Sequence, residues 1–215
     1  MSDLTLVIGN KNYSSWSLRG WLALALTGAE FDEVLIPLDL PETEEQIRAY
    51  SASGRVPCLL HGDLVIWDSL AIGEYLAELF PEAGLWPQER SARARARAVT
   101  AEMHAGFAAL REAWPMDLRR RTEFEDPGGA VAADCARILE IWRDCRAEAA
   151  GQGDFLFGAP GIADAFFAPV AGRFLTYGLP LGTAARDYIA ALWSLPQMQA
   201  WLAAAESEPW VLENP

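Results

Sequence analysis

The spacing of apolar residues in this 215-residue chain changes character near residue 80, and that change limits the folds open to it. Upstream, short apolar runs alternate with helical patterns. Leu4 to Ile8 suits a buried strand. Leu18, Trp21, Leu22, Ala25 and Leu26 then recur at i, i+3, i+4, i+7 and i+8, one face of a helix. Ser17 is placed to cap that helix and Gly28 to end it. Residues 31–37, 57–60 and 64–67 read as further strands, the last two joined by a His61-Gly62-Asp63 turn. Ser69 is placed to cap a helix whose Ile72, Tyr75, Leu76, Leu79 and Phe80 share a face.

Residues 81–87, rich in Pro and Gly, break this pattern, and beyond them the strand signal almost vanishes. Residues 89–122 read as one long Ala-rich helix, bent near Pro115 and ended by Asp126-Pro127-Gly128-Gly129. Val131, Cys135, Ile138, Trp142 and Cys145 alternate by four and three, the seam of a packed helix. Further helices are expected over 162–176, 183–193 and 195–205. Strands mixed with helices, followed by helices alone, indicate an α/β domain over 1–81, a linker over 82–88 and an all-helical domain over 89–215.

The net charge of −13 argues against nucleic acid and anionic membranes as partners, because both are held by clustered Lys and Arg. Two basic stretches, Arg90, Arg93, Arg95 and Arg97, then Arg119 to Arg121, read as solvated helix surface balanced by nearby acids. The apolar run after Met1 is too short for a secretory leader, and no run reaches the length of a membrane span. Cys58, Cys135 and Cys145 make an odd count without metal-ligand spacing. They read as reduced thiols of a cytoplasmic protein, with no metal site expected.

Three segments of the first part carry chemistry. Asn12-Tyr13-Ser14-Ser15-Trp16-Ser17 offers hydroxyls and free backbone N–H groups at a helix N-terminus, which favour an anion such as a thiolate. Gly54-Arg55-Val56-Pro57 enters a strand; with a cis Val56–Pro57 bond, Val56 would offer its backbone to an extended peptide. Trp67-Asp68-Ser69 opens a helix, where Asp68 can hold an ammonium and Ser69 a carboxylate. Taken singly, each of these is an ordinary cap or strand start.

Together and in this order they resemble the cytosolic glutathione transferases over nearly the full chain. Ser14-Ser15-Trp16-Ser17-Leu18-Arg19 is similar to the zeta-class signature Ser-Ser-Cys-Ser-x-Arg, with Trp16 where that class and the beta class carry Cys. Pro57 matches the family's cis-proline and Asp68-Ser69 its Gln/Glu-Ser pair, one methylene shorter. Gly161-Ile162-Ala163-Asp164 resembles the Ser/Thr-x-x-Asp folding motif with glycine at the cap, and Glu102-Met103-His104-Ala105-Gly106-Phe107 resembles a beta-class segment whose His lies near glutathione.

The resemblance implies a thioredoxin-like first domain, a helical-bundle second domain, glutathione as co-substrate, and a homodimer. Ser14 would donate to the glutathione thiolate, with Ser15 as the fallback one residue on. Ser15, Trp16, Arg55, Val56, Pro57, Asp68, Ser69 and His104 would hold glutathione. Trp16, Met103, His104, Phe107 and Tyr177 would line a pocket for a small electrophile. The implied role is a detoxifying transferase. The alternatives are an isomerase of the maleylacetoacetate type, although no arginine matches the zeta-class substrate arginine and the nearest, Arg173, is three residues earlier, or a non-catalytic transferase-like interaction module. A glutaredoxin-type oxidoreductase would need a Cys among residues 14–17, and none is there.

Overall fold

The computed structural model describes residues 3–212. Four short strands, β1 (Leu4–Ile8), β2 (Asp32–Leu35), β3 (Cys58–His61) and β4 (Leu64–Trp67), form one sheet in the order β2-β1-β3-β4. β2 runs parallel to β1, and β3 antiparallel to both β1 and β4. β1 is apolar throughout because both of its faces are covered. Leu6 and Ile8 enter the main core, whereas Val7 enters a second cluster with Ile36, Ile47 and Cys58.

The helices α1 (Ser15–Ala25), α2 (Thr43–Arg48) and α3 (Ser69–Leu79) complete this thioredoxin-like part. After a short 3-10 turn at Pro81–Ala83 come α4 (Arg90–Ala105), α5 (Ala108–Ala113), α6 (Gly129–Glu148), α7 (Ile162–Thr176), α8 (Thr183–Ser194) and α9 (Pro196–Ser207). α7 is apolar on every side except Asp164, Arg173 and Thr176, and 14 of its residues are buried, so it forms the axis of the helical half. It packs against α1, which binds the two halves into one core. No helix among the described residues is long and apolar enough to cross a membrane.

Four elements differ from the sequence expectation. The helix predicted over 89–122 is two helices followed by irregular chain. Phe107 takes a left-handed backbone (φ 57°), and a Cβ at Gly106 would stand 2.7 Å from Glu102 O. From Trp114 the chain is irregular, with Trp114, Met116 and Leu118 buried at alternate positions. The first helix begins at Ser15 and is capped by Ser14, because the Ser17 hydroxyl is already engaged by Gly9 N (3.0 Å). The second predicted helix is capped by Asp68, whose Oδ1 accepts from Leu70 N at 2.8 Å. α2 had no counterpart in the sequence reading: only Ile47 of its six residues is buried, too few to make a period.

Candidate functional site

The turn between β1 and α1 places Ser14 at the N-terminus of a largely buried helix. Ser14 Oγ accepts from Ser17 N (3.3 Å) and donates to Ser17 Oγ (2.7 Å). Ahead of it, the segment Lys11-Asn12-Tyr13 is held almost wholly from the distant C-terminal half. Glu208 accepts from Lys11 N (2.5 Å) and Asn12 N (3.1 Å) through its two carboxylate oxygens. Leu118 N and Arg119 N donate to the Asn12 backbone and side-chain oxygens, and Trp201 Nε1 donates to Lys11 O. Arg119 Nη2 and Leu212 N both donate to the Tyr13 hydroxyl.

Ser14 opens onto a cavity of about 570 Å³. Arg55, Val56, Pro57, Trp67, Asp68 and Ser69 share that cavity, so three segments separated in sequence meet around one space. The Val56–Pro57 peptide bond is cis. Ser69 Oγ is buried and unpaired at the start of α3, where helix N–H groups already favour a carboxylate. Asp68 holds a positive φ of 72° with ψ 129°, and its Oδ2 lies 3.3 Å from His104 Nε2 on α4. Burial lowers the His104 pKa below the usual 6.5; Asp68 opposes this and Arg19 and Arg111 add to it.

Ser15 faces the opposite way. Its Oγ accepts from Arg173 Nη2 (3.3 Å) and lines a second cavity of about 330 Å³ with Tyr13, Trp16, Arg111, Pro115, Met116 and Arg173. Trp16 is the one residue of the serine segment in both cavity walls. His104 stands edge-on to its ring, with centroids 5.3 Å apart. Of the other residues expected in the second pocket, Met103 and Phe107 are buried in the helical core and line neither cavity. Tyr177 stacks on Trp114 (centroids 5.0 Å, planes 4° apart) and donates to Pro115 O, one layer behind the cavity wall. A third cavity of about 540 Å³, near Leu85, Trp86 and Phe157, is lined by none of the buried unpaired polar atoms.

Sequence reasoning named Tyr13 only as part of the serine segment, missed Arg111 and Met116, and noted Arg173 only by its distance from a motif. Arg173 had a signal of its own: it is the lone cation in a helix whose other polar residues are Asp164 and Thr176. Burial and the neighbouring Arg111 lower its pKa to about 10, so it stays charged at neutral pH. The three cysteines are buried and free, and burial raises each thiol pKa.

Residues 13–79, which include the Ser14, Val56–Pro57 and Asp68–Ser69 segments, match the family model for the glutathione S-transferase N-terminal domain. Over 167 residues the chain is 30% identical to the maleylacetoacetate isomerase of Pseudomonas aeruginosa, covering 73% of this chain and 75% of that protein. The chain belongs to the glutathione S-transferase family. Within it, a probable maleylacetoacetate isomerase of Caenorhabditis elegans is 30% identical over 123 residues, and glutathione S-transferase 1 of Dianthus caryophyllus 44% identical over 82 residues. Those alignments span only 58% and 36% of the two relatives, and 57% and 37% of this chain. Among solved structures, a holo maleyl pyruvate isomerase described as a zeta-class bacterial transferase shares the fold at TM-score 0.72 and 23% identity, over 95% of this chain and 98% of that one. A glutathione transferase homolog from Burkholderia with bound glutathione shares it at TM-score 0.71, with the same identity and coverage.

Proposed function

We propose that this protein is a glutathione transferase that binds glutathione in the larger cavity and activates its thiol for attack on an electrophile in the smaller one. The observation that carries the reading is that Ser14, Val56 and Ser69 line one space. The γ-glutamyl carboxylate of glutathione meets Ser69 and the start of α3, and its ammonium meets Asp68. Its cysteinyl amide pairs with the Val56 backbone, beside Pro57 and Arg55. Its sulfur then reaches Ser14. A free thiol has a pKa of about 8.5, and a helix N-terminus lowers such values. Ser14 turns its proton from Ser17 Oγ to the sulfur, and the Ser17 hydroxyl donates back to Ser14. The thiol proton leaves to solvent water, the thiolate is stabilised without Ser14 accepting that proton, and it attacks past the Trp16 indole.

A second reading, isomerisation of a carboxylate-bearing substrate, is favoured by the smaller cavity itself. Arg111 and Arg173 line it, and Arg173 Nη1 and Arg111 Nε are buried without a partner. There the thiolate adds to a double bond, the adduct rotates, and glutathione leaves unchanged. The accompanying proposals are a chain divided into a glutathione-binding part (1–81), a linker (82–88) and a helical part (89–215), a homodimer, and residence in the reducing cytoplasm.

The test is Ser14→Ala and Ser15→Ala assayed with one conjugation substrate and one cis-alkene dicarboxylate. Ser14→Ala should lower turnover at least tenfold and raise the pKa of bound glutathione. Full activity in Ser14→Ala with loss in Ser15→Ala would move the thiol to the smaller cavity and overturn the assignment.

A further inference from the structure

Arg19 is the most unusual side chain in the described structure. It belongs to α1, is fully buried, and has Nε, Nη1 and Nη2 all without a hydrogen-bond partner. A guanidinium carries five N–H donors, and buried cations are ordinarily paired. Here two aromatic faces stand in for partners: Cζ lies 4.3 Å from the centre of the Trp16 ring and 5.2 Å from that of Phe166. The charged and titratable groups facing it are Asp68, His104, Arg111 and Arg173. Asp68 is the single acid among them, and it is already engaged by Leu70 N and His104. Burial, Arg173 and Arg111 bring the Arg19 pKa down to about 9, which leaves it protonated at neutral pH. The protein alone therefore keeps an uncompensated positive charge directly behind the indole that walls both cavities.

We propose that Arg19 is an electrostatic positioning residue for catalysis, a fixed cation behind Trp16 whose field stabilises the glutathione thiolate across the indole. The inference rests on the larger cavity being the glutathione site. A thiolate beside Ser14 is the anion that the proposed reaction brings to this region. An unpaired charge shielded from water is weakly screened, so it acts beyond hydrogen-bond range. Arg19 lines neither cavity, so it acts without touching substrate. The aromatic sandwich fixes its place, and the lack of hydrogen-bond partners leaves its charge unspent until the thiolate forms.

A structural and a functional role predict opposite signs for one substitution. Replacing a buried, poorly compensated charge by an apolar side chain of similar volume is commonly neutral or stabilising. Arg19→Met should therefore keep or raise the melting temperature. It should raise the pKa of bound glutathione, followed by thiolate ultraviolet absorbance, by about one unit, which lowers the thiolate fraction at neutral pH by up to about tenfold. Turnover at saturating glutathione should fall by up to about tenfold at neutral pH and recover as pH is raised. Arg19→Lys, which keeps a charge, should hold the pKa nearer that of the parent. In the unaltered protein, glutathione sulfonate, with a fixed anion at the sulfur, should bind at least tenfold more tightly than S-methylglutathione. A melting temperature that falls by several degrees in Arg19→Met, or failure of that variant to fold, makes Arg19 a structural residue and overturns the proposal. An unmoved thiol pKa with glutathione binding intact overturns it while leaving the site standing. No calorimetric binding of glutathione to the unaltered protein removes both.

Discussion

Asp68 meets three demands at once. It caps α3 through Leu70 N, stands 3.3 Å from His104, and holds a positive φ (72°, with ψ 129°) that is strained for a residue with a Cβ. In the proposed complex it also holds the γ-glutamyl ammonium. A hydrogen bond to a charged group contributes about 1.5–3 kcal/mol, so Asp68→Ala should weaken glutathione binding roughly tenfold or more. Asp68→Asn keeps a carbonyl acceptor and should cost less. Turnover at saturating glutathione should change little, because the thiol lies at the far end of the tripeptide. Calorimetric titration of both variants decides; lower thermal stability with unchanged affinity would leave Asp68 as a cap alone. Asp68, Ser69, Pro57 and Ser14 were legible in the sequence because each sits in a short segment whose chemistry is local. Arg111 and Arg173 come from separate helices and meet the serine segment only after folding, so no spacing in the chain announces them.

At the level of elements, Asp164 ties three pieces of the helical half together. Its carboxylate accepts from Leu156 N (3.1 Å), Gly161 N (2.9 Å) and the Tyr188 hydroxyl (3.0 Å). Gly161 sits where a hydroxyl cap is the usual choice, because a Cβ there would stand 2.5 Å from Leu85 O. Complete burial raises the Asp164 pKa from 3.8 to about 6, against three donors that lower it. The folded protein therefore binds a proton between about pH 4 and 6 that the unfolded chain has released. Stability from this group is present below pH 4 and lost as pH rises through 6. The loss is of order 3 kcal/mol at 1.4 kcal/mol per unit. Denaturant unfolding across that range should show the decline, and Asp164→Asn should abolish the slope while lowering stability throughout, since the Gly161 N bond loses its acceptor.

The stretch after α5 shows why elements are harder to read than residues. Alanine-rich composition suggested helix through residue 122, but the alternate burial of Trp114, Met116 and Leu118 is a strand-like period within that composition. Its irregular path brings Leu118 and Arg119 onto the Lys11-Asn12-Tyr13 segment, which Glu208 also grips. Glu208→Ala would leave two buried backbone N–H groups unpaired, at about 1–3 kcal/mol each. It should lower unfolding stability by about 2–6 kcal/mol. Turnover should fall as well, because the grip fixes the approach to Ser14; Glu208→Gln should restore part of both. Full turnover in a destabilised Glu208→Ala protein would show that the grip serves folding alone.

For the whole molecule, the proposed homodimer follows from what the sheet leaves uncovered. β4 is an outer strand, and Leu64, Val65 and Trp67 on it are 54%, 41% and 51% exposed. An outer strand with exposed apolar side chains favours association unless something covers it. A second copy of the chain is the occupant proposed, and the net charge of −13 works against it. Two such subunits repel one another at low ionic strength, where the Debye length is about 30 Å at 0.01 M, and much less at about 8 Å under physiological salt. Apolar burial is not weakened by modest salt. Dimerisation should therefore strengthen as sodium chloride is raised from low to physiological concentration, the reverse of an interface held by ion pairs. Sedimentation at micromolar protein should show a dimer in physiological salt and partial dissociation in dilute buffer. Val65→Lys places a charge on the uncovered strand and should raise the dimer dissociation constant at least tenfold without lowering the melting temperature of the monomer. Trp67 lines the larger cavity as well, so covering β4 also closes one side of the proposed glutathione site. Val65→Lys should accordingly weaken glutathione binding in proportion to the monomer it creates. A monomer at every salt concentration, with glutathione affinity unchanged by Val65→Lys, would remove the second copy from this surface.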